Sequence, residues 1–164
     1  MRRNKTIFSA LSILLLTAAV QAAPWKIQPG VGVGPVLLGA DSKAADAVFN
    51  RKEVLNTHGG TGRWINYKEG LELELESGKV LQIVVPEASL SSKQGSLELE
   101  LEGGIRVGST VAQMEAALGR GYKAQDLKVG SSQAAETYYA YINRGIGFMA
   151  RQGKIFRIIV WPKK

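Results

Sequence analysis

The sequence predicts an α+β protein of tandem duplicated modules, each a short helix packed on an antiparallel β-sheet. Two blocks of the chain recur at nearly constant separation, which is the signature of an internal repeat. Several segments alternate apolar and polar residues with a period of two, as strands buried on one face do. A helix-start signal, Thr110 followed three residues later by Gln113, lies between such segments.

The repeat is visible in two pairs of segments. Residues 36–39 (Val-Leu-Leu-Gly) match residues 105–108 (Ile-Arg-Val-Gly) at a separation of 69 residues. The run 78–86, which begins Gly-Lys-Val, matches the run 153–162, which begins Gly-Lys-Ile, at a separation of 75 residues. The second copy therefore has a longer middle loop.

The first residues resemble a secretory signal peptide. A basic start, Met1–Lys5, precedes the apolar run Ile7–Leu16 and the small-residue ending Val20–Ala22. The apolar run is shorter than the roughly 20 residues that span a bilayer. We therefore expect export to the periplasm, cleavage after Ala22 and no stable membrane insertion afterwards.

These observations divide the chain into four expected parts. They are the signal peptide at 1–22, the first α+β module at 23–86, the connecting segment and strand at 87–100, and the second α+β module at 101–164.

Charge and cysteine content narrow the classes of function. Removal of Arg2, Arg3 and Lys5 leaves 18 basic against 14 acidic residues, a net charge of +4. No dense basic run occurs, so nucleic-acid binding is not predicted. The chain has no Cys, which excludes a lipid-bearing cysteine and leaves stability to the core rather than to disulfides.

Each module is predicted to hold one helix of about three turns. In the second copy Thr110 begins the helix with a capping box and Gly119 ends it. In the first copy Asp41 or Ser42 is the predicted cap. The apolar residues predicted to share one helix face are Val111, Met114 and Leu118 in the second copy, and Ala45, Val48 and Phe49 in the first.

The period-two segments predict hairpins. The predicted strands are Leu71–Glu76, Leu97–Glu102, Tyr139–Ile142 and Ile146–Met149. The predicted turns between strands are Lys68–Gly70, Ser77–Gly78, Asn143–Gly145 and Gln152–Gly153. Residues 87–96 are rich in Ser and polar residues and are predicted to connect the modules.

Strand alternation assigns residues to the two sheet faces. The side chains predicted to point inward are Leu71, Leu73, Leu75, Leu81, Ile83, Val85, Phe148, Phe156, Ile158 and Val160. The outward residues of the first module are acidic or polar: Glu72, Glu74, Glu76 and Gln82. Those of the second module are Tyr139, Tyr141, Met149, Arg157 and Trp161, types that are enriched at protein interfaces. They are the candidate partner-binding residues, unless the other module or a loop covers them.

No motif specifies a reaction, a cofactor or a metal. The run Gly30–Pro35 has its third Gly one residue early for a dinucleotide site, with a Pro where a helix would open, and is predicted to be a flexible lead-in. His58 is the only His, and a zinc site needs several N or S ligands. The Glu ladders are typical of a solvated sheet face rather than an enclosed carboxylate pair. No Gly-x-Ser-x-Gly elbow occurs. We therefore expect a protein that is not an enzyme.

The motif at residues 104–119, Gly-Ile-Arg-Val-Gly-Ser-Thr-Val-Ala-Gln-Met-x-x-x-Leu-Gly, and the closing strand of each copy carry a resemblance. The chain resembles the tandem-repeat modules of the beta-lactamase inhibitory protein type and the SmpA/OmlA envelope modules. This implies helices on one sheet face and a partner protein on the other, with Tyr139, Tyr141 and Trp161 on that face. The chain lacks the disulfides and the lipid-bearing Cys of those proteins, so their specific roles do not transfer.

Three functions are compatible with these features. The first is a periplasmic, non-catalytic protein-binding module, such as an inhibitor, an immunity-type protein or an envelope accessory protein, that binds another envelope protein. The alternative is an envelope enzyme or small-ligand binder that uses the inter-module loops Thr57–Arg63 and Arg120–Lys128. A purely structural role in the envelope is the third.

Overall fold

The described part of the chain is mostly β-structure. A computed structural model describes residues 25–56, 62–87, 99–127 and 135–163. In chain order the elements are β1 (Trp25–Gln28), β2 (Gly32–Val33), β3 (Val36–Leu37), α1 (Lys43–Asp46), β4 (Arg51–Asn56), β5 (Gly62–Tyr67), β6 (Glu72–Glu76), β7 (Lys79–Pro86), β8 (Leu99–Leu101), α2 (Val111–Leu118), β9 (Lys123–Leu127), β10 (Glu136–Tyr141), a 3-10 turn (Ile142–Arg144), β11 (Ile146–Arg151) and β12 (Lys154–Val160).

The strands form two sheets. The large sheet has eight strands in the order β4-β5-β6-β7-β12-β11-β10-β9, all antiparallel neighbours. The small sheet has the order β3-β2-β1-β8, in which β1 and β8 run parallel. Two four-stranded meanders thus meet at the centre of the large sheet, where β7 pairs with β12.

The predicted fold class is therefore wrong. The protein is not a repeat of helix-on-sheet α+β modules, because β-structure dominates and a second sheet accompanies the large one. The first predicted helix is only the four residues of α1, and Ser42 makes no side-chain cap. So short a helix has almost no stability of its own, since nucleation is costly. The chain instead turns at Ala47–Phe49 and enters β4.

The two halves of the chain nevertheless repeat one set of backbone contacts. Gly39 N donates to Val80 O at 2.8 Å, and Val80 N donates to Ala40 O at 2.8 Å. In the second half Gly108 N donates to Ile155 O at 2.7 Å, and Ile155 N donates to Ser109 O at 2.9 Å. The paired residues have the same separations of 69 and 75 residues as the matching sequence blocks.

The predicted start and end of the second helix are confirmed. Thr110 accepts from Gln113 N at 3.1 Å, and the Gln113 side chain accepts from Thr110 N at 2.8 Å, which completes a capping box. Gly119 ends α2 with φ 76°. Of its predicted inner face, Met114 is fully buried, while Val111 and Leu118 pack against the core.

The hydrophobic core lies on one face of the large sheet, which we call the inner face. Its side chains join those of the small sheet and both helices in one cluster. Its fully buried members include Ile65, Leu71, Leu73, Ile83, Tyr141, Ile146, Phe148, Ile158, Val33, Leu101 and Met114. Phe49 links the layers, with its ring centroid 5.1 Å from that of Trp25 and 5.6 Å from that of Tyr67.

A β-bulge changes the predicted inner face of the first half. A register shift between Glu74 and Leu75 places Val80 opposite Leu75, so Val80 is buried and Leu81 is 39% exposed. A bulge adds one residue and inverts the alternation beyond it. The assignment of Leu81 to the core is therefore wrong.

A second β-bulge changes the predicted inner face of the second half of the sheet. The register shifts between Met149 and Ala150, which places Ile155 in the core and leaves Phe156 half-buried. Phe156 is therefore also wrongly assigned to the core.

The predicted inner face of the first helix is correct in part. Ala45 and Phe49 are buried, whereas Val48 is 48% exposed. The chain has already left the helix at Val48, so helical spacing no longer decides which way that side chain points.

Two hairpin turns are confirmed. Ser77 and Gly78 have φ of 50° and 78°, and Gln152 and Gly153 have φ of 50° and 74°. Two consecutive residues with left-handed backbone conformation form a two-residue hairpin turn, whose twist matches that of the flanking strands. Both hairpins therefore close where the dipeptides predict.

The lead-in Gly30–Pro35 is structured rather than flexible. It forms β2 and the turns that connect it to β1 and β3, with Gly30 N donating to Gly145 O at 3.2 Å. Gly34 has φ 54°, and a methyl group on it would lie 2.5 Å from the Trp25 ring. The signal peptide, His58 and almost all of the predicted connection lie outside the described residues.

Candidate protein-binding face

The face of the large sheet opposite the core is the outer face, and its residues follow from strand register. Residues directly opposite one another in antiparallel strands point to the same side of the sheet. One cross-strand row is Tyr138, Met149, Arg157 and Pro86. The next row is Ala140, Gly147, Ile159, Val84, Glu72 and Asn66. None of these residues belongs to the core cluster that joins the sheet to the described helices and the small sheet.

The structure separates the five predicted site residues. Met149, Arg157 and Trp161 lie on the outer face, as predicted, and all are half-buried. Tyr139 and Tyr141 lie on the inner face instead. The prediction that these two tyrosines point outward is wrong.

The length of one loop explains this error. The sequence predicts a three-residue turn at Asn143–Gly145, whereas Tyr141 pairs with Ile146 and the connection has Ile142 as its first residue. Ile142–Arg144 forms a 3-10 turn that Gly145 ends at φ 68°. A shift of one residue in register moves every side chain of a strand to the other face.

Tyr141 belongs to an aromatic cluster in the core. It is 2% exposed, and its ring centroid lies 6.0 Å from that of Phe148 and 5.5 Å from that of Tyr122. Its hydroxyl donates to Gly119 O at 2.6 Å, which ties β10 to the end of α2. Burial raises the pKa of Tyr141. Tyr139 packs edge-on against Tyr122 at 5.0 Å.

The same shift brings Tyr138, which sequence reasoning missed, onto the outer face. Tyr138 lies opposite Met149 and leans over Gly147. A methyl group on Gly147 would lie 2.6 Å from the Tyr138 hydroxyl oxygen and 2.9 Å from the Trp161 ring. Burial raises the pKa of Tyr138. The alternation of Tyr138 with the buried Tyr139 would have revealed this side chain, had the loop length been known.

Small and aliphatic residues occupy part of the second row: Ala140, Gly147, Ile159 and Val84. Gly147 and Val84 are buried, and Ala140 and Ile159 are half-buried. Val84 is buried but does not belong to the core cluster, so its side chain is buried on the outer face of the sheet. Tyr138 and Trp161 lie next to Gly147, so aromatic side chains adjoin this apolar row.

Arg157 is the most unusual polar group of the outer face. Its Nε is buried and has no hydrogen-bond partner among the described residues. Its cross-strand neighbours are the apolar residues Met149 and Pro86. A buried donor without an acceptor costs about 1–3 kcal/mol, so such groups need an explanation.

The first half of the outer face is acidic. Glu72 and Glu74 are half-buried and lie opposite Asn66 and Trp64 on β5. Trp64 thus stands among carboxylates, and Leu55 beyond it is 46% exposed. The sequence prediction of an acidic sheet face in this half is confirmed for these two glutamates.

The perturbed carboxylates of the described residues lie elsewhere and act as anchors. Arg51 Nε donates to Asp46 Oδ1 at 2.6 Å and the Tyr67 hydroxyl donates to the same oxygen at 2.8 Å, so the pKa of Asp46 is lowered, chiefly by Arg51. Burial, and next the bond to Asp46, raises the pKa of Tyr67. The contacts fasten α1 to β4 and β5.

A matching anchor holds α2. The Tyr122 hydroxyl donates to Glu115 Oε1, and Arg120 Nε donates to Glu115 Oε2 at 3.0 Å. The bond from Tyr122 lowers the pKa of Glu115. A carboxylate kept ionised by such donors is a poor general acid, so these clusters favour a structural role.

The loops of the alternative function are described only in part. Residues 57–61 and 128–134 lie outside the described residues. Where the chain is described, no group of three or more acidic or His side chains forms a possible metal site. None of the helices within the described ranges has the length and apolar character needed to span a bilayer.

Comparison of the chain with protein-family models, with curated proteins and with solved structures finds no match in any of the three. The assignment of function therefore depends on the geometry of the outer face.

Proposed function

We propose that this protein is a non-catalytic protein-binding module of the bacterial envelope, and that its contact surface is the outer face of the large sheet. The contact centre comprises Tyr138, Met149, Arg157 and Trp161. The partner is another envelope protein. This follows the resemblance to envelope and inhibitory modules drawn from the motif at residues 104–119.

The observation that carries the proposal is the group of half-buried side chains Tyr138, Met149, Arg157 and Trp161 on the outer face. Arg157 lies opposite Met149, and Tyr138 and Trp161 flank Gly147. Interface centres combine aromatic, Met and Arg side chains with few competing charges. A partner that supplies an acceptor to Arg157 and covers the aromatic edges gains both a hydrogen bond and apolar burial.

Photocrosslinking tests the location of the surface. A photoreactive phenylalanine replaces Met149 on the outer face, and in a control variant it replaces Ala112, which is exposed on α2. In cells that express the full chain, we expect a discrete adduct from the Met149 position and none from the Ala112 position.

The variants Arg157→Ala and Trp161→Ala, added to the crosslinking chain, should reduce the adduct at least several-fold. Equal adducts at both positions, or an adduct that persists at full yield in both variants, would show that the outer face is not the contact surface.

A further inference from the structure

The charges of the outer face are divided between its two halves. On β4 to β7 the outer-face charges are Glu53, Glu72, Glu74, Glu76 and Lys79. On β9 to β12 they are Lys123, Glu136, Arg151, Lys154 and Arg157. Glu136 pairs with Arg151 within the second half. One half is thus net acidic and the other net basic.

The central charges of the two halves have no ion-pair partner in the described part of the chain. Arg157 lies on β12, and Glu72 and Glu74 lie on β6, with β7 between the two strands. Two strand spacings put the backbones of β12 and β6 roughly 10 Å apart. The described residues therefore leave both sets of charges without an opposite charge at ion-pair distance.

A two-fold axis between two copies of the chain places the acidic and the basic charges against opposite charges at the same time. In an isologous contact each patch meets its complement twice, so the basic half of one copy faces the acidic half of the other. The half-buried Ala140 and Ile159 then lie near the centre, against the second copy. Sheets that pack face to face bury such apolar rows in this way.

We infer that the outer face binds a second copy of this chain, with Arg157 of one copy paired to Glu72 or Glu74 of the other. The inference rests on the proposed function, since it uses the same contact surface, but it makes the partner a second copy of the chain instead of a different envelope protein.

Sedimentation equilibrium of the purified protein, over a wide concentration range, tests the inference. We expect a reversible dimer that weakens with added salt, because part of the contact is ionic. Arg157→Glu, and separately the pair Glu72→Arg with Glu74→Arg, should each raise the dimer dissociation constant at least tenfold. Mixing the two charge-reversed proteins should restore a one-to-one dimer.

Two charge reversals away from the face serve as controls: Arg106→Glu and Glu102→Arg, both at exposed positions between β8 and α2. They should leave the dimer unchanged. Circular dichroism and thermal unfolding of every variant separate loss of dimer from loss of fold.

A wild-type protein that stays monomeric throughout, or charge-reversed proteins that do not associate when mixed, would overturn the inference. The proposed function is scored separately by the photocrosslink at Met149. An adduct with a different protein together with a monomeric wild type leaves the proposed function standing and removes the dimer. An adduct of twice the chain mass supports the dimer and the contact surface, and replaces the different envelope protein by a second copy as the partner. No adduct together with a monomer removes both.

Discussion

Replacement of Tyr141 distinguishes a core residue from a binding residue. Tyr141 is 2% exposed, its ring contacts Phe148 and Tyr122, and its hydroxyl donates to Gly119 O at 2.6 Å. Truncation of a buried aromatic side chain costs about 3–5 kcal/mol, and we expect Tyr141→Ala to lower the free energy of unfolding by that amount. Natural domains have only about 5–15 kcal/mol in total.

The more conservative Tyr141→Phe removes only the hydrogen bond. It leaves the Gly119 carbonyl without this donor, at a cost of about 1–2 kcal/mol. Urea unfolding followed by far-UV circular dichroism measures both variants. With a slope of about 2 kcal/mol per molar urea, Tyr141→Ala should move the midpoint by roughly 2 M.

Met149→Ala is the matched control, because Met149 lies on the outer face and is absent from the core cluster. It should cost much less than Tyr141→Ala. If Tyr141 instead pointed outward, its truncation would change stability by only about 0.5 kcal/mol. A measured loss below about 1 kcal/mol for Tyr141→Ala would refute the assignment of Tyr141 to the core.

Three further predictions concern other parts of the fold. Arg51 lowers the pKa of Asp46 below its model-compound value of 3.8. The contact therefore stabilises the fold above pH 3.8, and this stability is lost as the pH falls through the lower pKa of the folded state. Asp46→Asn should flatten the acid side of a plot of urea midpoint against pH. Gly147→Ala places a methyl group 2.6 Å from the Tyr138 hydroxyl and should change the near-UV circular dichroism, whereas Gly121→Ala, with open space around it, should not. Thr110→Ala removes the capping box and should cost about 1 kcal/mol in the same urea assay, and no measurable loss would contradict the capping role.

Local features of the sequence predict the local structure well. The capping box at Thr110, the end of α2 at Gly119, and the turns at Ser77–Gly78 and Gln152–Gly153 all depend on residues close to one another in the chain. Backbone conformation and short-range hydrogen bonds decide these features, so the types of a few neighbouring residues are sufficient.

The small sheet could not be predicted in the same way. β2 and β3 have two residues each, and β1 pairs in parallel with the distant segment β8, with Trp25 opposite Leu99. Strands this short show no periodicity, and their pairing is stabilised by contacts with distant segments. The prediction of helices as the main layer over the sheet failed for this reason.

Some residues of the candidate site follow from the sequence pattern alone, and others depend on the tertiary structure. The amino-acid pattern alone determines that Met149, Arg157 and Trp161 lie opposite the buried aliphatic residues of β11 and β12, because strand alternation has a period of two. The tertiary structure decides that Tyr138, and not Tyr139 or Tyr141, joins them. A loop longer by one residue shifts the register of β10 and exchanges its two faces, and the buried contacts of Tyr141 with Phe148 stabilise that choice.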